Sequence, residues 1–273
     1  MKQFKYFCPT LSECWQLVAV LISGMLLAGL VLGIVWHNAP QAVSYGLGML
    51  PPLLFAYGRG RRRARSGAAP CPLESPDLGG TGIAVYAVLL FVALISVSVA
   101  MDPATGFIPM PDRIRMVFEQ AFLNSKTADM VIATCIMAPL CEELLCRGLI
   151  MRGLLANGKS PRSAILWSAF IFALIHMNPW QSIPAFVFGL FFGWVYWRTG
   201  SLWSTIALHA VNNGISAAIA RIWPEIGVDT GLVDILPTGL YIAVYVASLA
   251  LLFAAISLLN RKLPEKCTKN STL

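Results

Sequence analysis

The chain has 273 residues, of which 57% are hydrophobic and 12% charged, with a mean hydropathy of +0.70. A soluble domain carries roughly a quarter of its residues as charges, so a water-soluble globular protein is excluded and an all-α polytopic membrane protein is expected. The net charge of +7 comes from Lys and Arg grouped between apolar runs, which is the pattern of a topology signal rather than of a nucleic-acid surface.

Lys2 and Lys5 precede an apolar run over 15–36. That run is long enough to span a hydrocarbon core of about 30 Å and lacks a small-residue cleavage site. A second span is expected over 41–57, kinked at Pro51 and Pro52. It is followed by Arg59, Arg61, Arg62, Arg63 and Arg65 and by a Pro/Gly/Ser-rich linker, together a cytosolic basic loop over 58–80 in contact with anionic lipid. The third span covers 81–100. Apolar residues at helical spacing over 112–124 predict a short amphipathic helix lying on the membrane surface. Further spans follow at 128–155, 163–177, 181–197, 202–219 and 236–259, and a basic tail over 260–273 closes the chain.

This makes eight transmembrane helices with both termini in the cytosol. The connections assigned to the inside, 58–80, 152–162, the surroundings of Arg198 and the tail, are basic. Those assigned to the outside are 37–40, without Lys or Arg, 101–127, the uncharged 178–180, and 220–235 with Glu225, Asp229 and Asp234 against Arg221. The chain reads as a single membrane domain, 1–273, and shows no repeat of the kind that builds inverted-repeat transporters. Gly-x-x-x-Gly at Gly29/Gly33 and Gly189/Gly193 predicts close helix packing. Seven cysteines without a C-x-x-C pair argue against a disulfide framework.

Few polar residues sit inside the spans. Glu142, Glu143 and Arg147 interrupt the fourth, where an ionisable side chain costs about 2.5–3.5 kcal/mol even on a lenient scale. His176 ends the fifth, and His209, Asn212 and Asn213 lie on the seventh. Glu143 and Arg147 are four apart, so they can pair on one face. Glu142 points about 100° away and lacks a partner on its own helix. Partial desolvation there suits it to act as a base. Phe172 and His176, and His209 and Asn213, repeat the same interval, each pair facing one cavity between the fourth, fifth and seventh spans. A purely structural polar cluster is the alternative. Cys141 and Cys146 flank the carboxylates, but apolar surroundings blunt a thiol nucleophile.

The motifs Glu-Glu-x-x-x-Arg (142–147), Phe-x-x-x-His (172–176) and His-x-x-x-Asn (209–213), in this order and each on its own span, resemble the family of CAAX-prenyl proteases and bacteriocin-processing and immunity proteins, called CPBP or Abi. The motif core covers about 128–216. The resemblance implies an intramembrane protease that hydrolyses a peptide or membrane-associated protein in the lipid bilayer, near its cytosolic side. It implies Glu142 as the base that activates water, His176 as its positioning partner, and His209 and Asn213 as oxyanion donors. Glu143, Arg147 and Phe172 would support the site. Family members include both metal-dependent and metal-free descriptions, so the cofactor is none or a divalent metal such as zinc on Glu142, His176 and His209. Two His and one Glu are an acceptable zinc set, whereas Asn213 suits the metal-free route better. A catalytically silent immunity or scaffold protein of the same fold is the other reading. Short loops suit a bacterial cytoplasmic membrane.

Overall fold

The computed structural model describes residues 2–105, 108–123, 125–227 and 229–263. Among the described residues all regular structure is helical. We number the longer helices α1 (Leu11–Val35), α2 (Gln41–Arg65), α3 (Ile83–Ala100) and α4 (Asp112–Leu123). A continuous helix, α5, then runs through Thr127–Met130, Val131–Met137, Ala138–Glu143, Leu144–Met151 and Arg152–Ala156. It is followed by α6 (Pro161–Leu174), α7 (Pro179–Thr199), α8 (Leu202–Ile222) and α9 (Thr238–Lys262). Helices α5 to α9 occupy the positions where the fourth to eighth spans are expected, and α4 that of the amphipathic helix. The far end of the basic tail, with Lys266 and Lys269, lies outside the described residues.

Local sequence explains most of the helix ends. Thr10 and Glu13 form a reciprocal capping box at the start of α1. Ser160, Asn178 and Ser201 each accept a hydrogen bond from the backbone N–H three residues on, capping α6, α7 and α8. Pro161 and Pro179 occupy the first helical position, where no N–H is missed. Gly200 ends α7 with φ 67°, a left-handed conformation that suits glycine.

Two features depart from the sequence reading. Helix α2 does not stop near 57 but continues to Arg65, because Glu13 at the buried start of α1 pairs with both Arg59 and Arg63, the latter at 2.7 Å. The basic run is therefore the last two turns of a helix rather than a loop. And α5 is not uniformly α-helical: Val131–Met137 and Leu144–Met151 are π-helical, on either side of the short α segment that bears Glu142 and Glu143. Such widened turns recur at functional sites.

Three helical stretches, Leu11–Val35, Ile83–Ala104 and Thr238–Lys262, are long and apolar enough to cross a membrane by length and composition alone. One buried cluster, with Phe7, Leu17, Leu21, Leu149 and Leu154, joins α1, α2, α5 and α6. A second, with Tyr86, Leu94, Phe192 and Leu259, joins α3, α7 and α9.

The helix ends are tied together at two poles. At one, buried Arg152 donates to the carbonyls of Phe4, Phe7 and Cys71. There, too, Arg63 donates to Cys8 O, and Arg198 to the carbonyls of Asn260 and Leu263. Beside Arg152 the Cys71 thiol is pushed down, first by a hydrogen bond from Cys8 and then by the guanidinium, while the Cys8 thiol is pushed up by the same pairing and by burial. At the other pole Asp129 accepts from the backbone N–H groups of Gln41 and Ala42, Asp102 caps Leu232 and Val233, and Arg115 pairs with Asp229.

The two Gly-x-x-x-Gly motifs differ. Nothing lies within 4 Å of where a Cβ on Gly29 or Gly33 would sit, so that pair marks no close helix contact. A Cβ on Gly189 would come within 2.9 Å of Ala169 Cα, so α6 and α7 do approach closely. Gly189→Ala is expected to force them apart and to cost about 1–3 kcal/mol, read as a lowered unfolding midpoint in detergent, with Gly29→Ala near neutral.

Candidate active site

A cavity of about 270 Å³ opens at the pole of Asp129 and Gln41. Its exposed rim includes Met177 and Gln181, and Glu142, only 8% exposed, forms part of its buried floor. His176 and Asn213 line it, with Thr134 from α5 and Leu21 and Met25 from α1.

The carboxylates of α5 have different surroundings. Glu143 and Arg147 are both fully buried and pair at 2.9 Å between Oε1 and Nη1, as their spacing predicts. Arg147 also donates to Gly189 O of α7 at 2.9 Å and lies over the rings of Phe172 and Phe192, at 4.6 and 5.6 Å from their centroids. His209 Nδ1 is 3.0 Å from Glu143 Oε1. One ion pair thus binds α5, α6, α7 and α8 together.

Glu142 faces the cavity. Tyr45 of α2 donates to its Oε1 at 2.9 Å, so the carboxylate has a partner after all, supplied by a different helix. Its Oε2 is buried, makes no hydrogen bond and lies 3.9 Å from His209 Nε2.

The tautomers follow from the acceptors. A carboxylate or a carbonyl can only accept. His209 Nδ1 therefore carries the proton it shares with Glu143, and His176 Nδ1, 2.7 Å from Phe172 O, carries one too. In neutral imidazoles both Nε2 atoms then present lone pairs. Phe172 stands between the rings, edge-on to His176 and His209 at 5.2 and 5.5 Å. Asn213 uses one of its amide protons on Thr134 O at 2.9 Å and keeps a second.

His176 is not on α6 itself but in the turn after it, between α6 and α7. Met177 there has φ 54°, a left-handed conformation that costs a non-glycine residue of order 1 kcal/mol. Asn178 holds the turn by donating to His176 O at 2.8 Å while capping α7. Cys146, which flanks the carboxylates, is fully buried in the core.

Residues 124–215 match the Rce1-like family of type II CAAX prenyl endopeptidases. The resemblance read from the three motifs is borne out over this segment, which is about a third of the chain and contains every residue from Glu142 to Asn213. The match points to a protease-type enzyme embedded in a membrane. No curated protein and no solved structure matches the chain. Tyr45 and Gln41 lie outside the Rce1-like segment, and the motif reading missed them. Their signal was four-residue spacing of two polar side chains on the second span.

Among the described residues no three His, Cys, Asp or Glu side chains converge closely enough to hold a metal ion, so Glu142, His176 and His209 do not form such a set. One oxygen of Glu142 and one nitrogen of each imidazole have protein partners, bonds that orient such groups with or without a metal.

Arg147→Ala would leave Glu143 buried without its counter-charge, at a cost of about 3–5 kcal/mol, seen as loss of folded protein after extraction. Tyr45→Phe keeps the ring and removes one hydrogen bond to a charged group. It is expected to lower kcat about tenfold with KM unchanged, as measured on a peptide whose cleavage depends on Glu142.

Proposed function

We propose that the protein is an intramembrane endopeptidase of eight spans with cytosolic termini. It would hydrolyse a peptide bond in a peptide or membrane-associated protein, using water activated by glutamate and histidine. The observation that carries this reading is the split environment of Glu142, whose Oε1 is fixed by Tyr45 while buried Oε2 has no hydrogen bond and lies beside His209. A carboxylate in that state is suited to take a proton.

In this reading a water bound at Oε2 is oriented by the lone pair on His176 Nε2. Oε2 takes one proton as the oxygen attacks the scissile carbonyl carbon, whose C=O electrons move to oxygen. The free amide proton of Asn213 meets that oxyanion, and a donor of this kind contributes about 3–4 kcal/mol. Collapse re-forms the carbonyl, the C–N bond breaks, and the proton held by Glu142 goes to the departing amine. His209 joins the oxyanion donors in its doubly protonated form, since its Nδ1–H is committed to Glu143. Glu143, Arg147 and Phe172 hold the two rings in place. No step uses a metal.

Comparative proteomics of membrane-bound and secreted peptides tests the reading. Glu142→Ala and His176→Ala are each expected to abolish the same cleavages, by at least about a hundredfold, while inserting normally. Asn213→Ala should reduce them about 10²- to 10³-fold. Full processing by both Glu142→Ala and His176→Ala would show the mechanism to be wrong. Zinc analysis of the purified protein, with cleavage measured after chelation, should find neither stoichiometric metal nor loss of rate.

A further inference from the structure

The cavity opens at one pole only, and the two poles carry opposite charge. The pole built by Arg63, Arg152 and Arg198 also carries Lys2, Lys5, Arg59, Arg61, Arg62, Arg65, Lys159, Arg162, Arg261 and Lys262, against Glu13, Glu74 and Asp77. The opposite pole carries Arg113, Arg115, Lys126 and Arg221 against Asp102, Asp112, Glu119, Asp129, Glu225, Asp229 and Asp234. An excess of Lys and Arg of this size keeps its pole in the cytosol.

The cavity rim, with Gln41, Met177 and Gln181, belongs to the acidic pole: Gln41 N is held by Asp129, and Trp180, next to Gln181, donates to Ile108 O. Below Glu142, towards the basic pole, α5 is closed by Leu145, Cys146, Leu149, Ile150, Met151 and Leu154, each at most 1% exposed. Among the described residues none from the basic pole lines the cavity. The expectation of a cut near the cytosolic side therefore does not fit the direction in which the site opens.

We infer that the substrate reaches Glu142 from the extracytoplasmic side. The substrate class is then a polypeptide segment already across the membrane, such as an exported peptide or the outer end of a spanning helix, and not a lipidated carboxy terminus displayed in the cytosol. This rests on the reading of Glu142 as the reacting carboxylate. The rim offers the amides of Gln41 and Gln181, which suit an extended peptide backbone, and the wall of Leu21, Met25 and Met49 accepts an apolar side chain.

Three single substitutions test it in intact cells expressing the full chain: Asn38→Cys in the short connection between α1 and α2, Gln181→Cys at the rim, and Lys159→Cys at the basic pole. All three positions are exposed. Each variant is treated with a membrane-impermeant maleimide, and the labelled peptide is identified by mass so that native cysteines are resolved. Asn38→Cys and Gln181→Cys should label at least tenfold faster than Lys159→Cys, which should label only after permeabilisation. The modified Gln181→Cys protein should also lose the cleavages that depend on Glu142. Labelling of Gln181→Cys only after permeabilisation overturns the inference. Correct labelling combined with unchanged peptides in Glu142→Ala cells leaves the cavity facing outward but overturns the proteolytic reading, and with it the assignment of a substrate.

Discussion

The buried ion pair of Glu143 and Arg147 is the interaction on which the arrangement of the candidate site depends. Two charges removed from water cost several kcal/mol each, and their attraction offsets that only with good geometry and further hydrogen bonds. Here the further bonds come from other helices: Gly189 O from α7 and His209 from α8, with the Phe172 ring of α6 beneath the guanidinium. An arginine suits this position because its planar fork can serve a carboxylate and a carbonyl at once and still stack on a ring. Satisfying the pair therefore fixes where α6, α7 and α8 stand relative to α5, and so where the two histidines stand relative to Glu142.

The close approach of α6 and α7 belongs to the same constraint. Gly189 lets α7 lie against Ala169, and the carbonyl of that same glycine receives Arg147. A larger residue would shift an acceptor as well as a backbone. This is why one of the two Gly-x-x-x-Gly motifs marks an internal seam and the other does not. The motif permits close packing, but only a partner helix with something to gain from it makes the contact.

Much of this was legible from residue spacing. The positions of the helices, the pairing of Glu143 with Arg147 and the grouping of Glu142, His176, His209 and Asn213 all follow from periodicity and from the cost of polar groups in an apolar run. What spacing could not supply is contact between segments distant in the chain. Tyr45 is 97 residues from the carboxylate it holds, and no local pattern joins them. The continuation of α2 through its arginines depends on Glu13, likewise far away.

The chemistry left available at the site is set by what the surrounding groups have already taken. Phe172 O fixes the Nδ1 proton of His176 and Glu143 fixes that of His209, so each ring turns its other nitrogen free for reaction. Tyr45 ties one oxygen of Glu142 and leaves the other. Asn213 commits one amide proton to Thr134 and retains one. Glu142, His176 and Asn213, which line the cavity, are each held at one end by a protein partner and keep polar capacity at the other, which is the condition for a site that need not reorganise when charge develops. In an apolar surrounding the same unpaired atoms would be a net cost without a polar occupant, so the cavity beside them is part of the stability of the folded chain as well as of its proposed reaction.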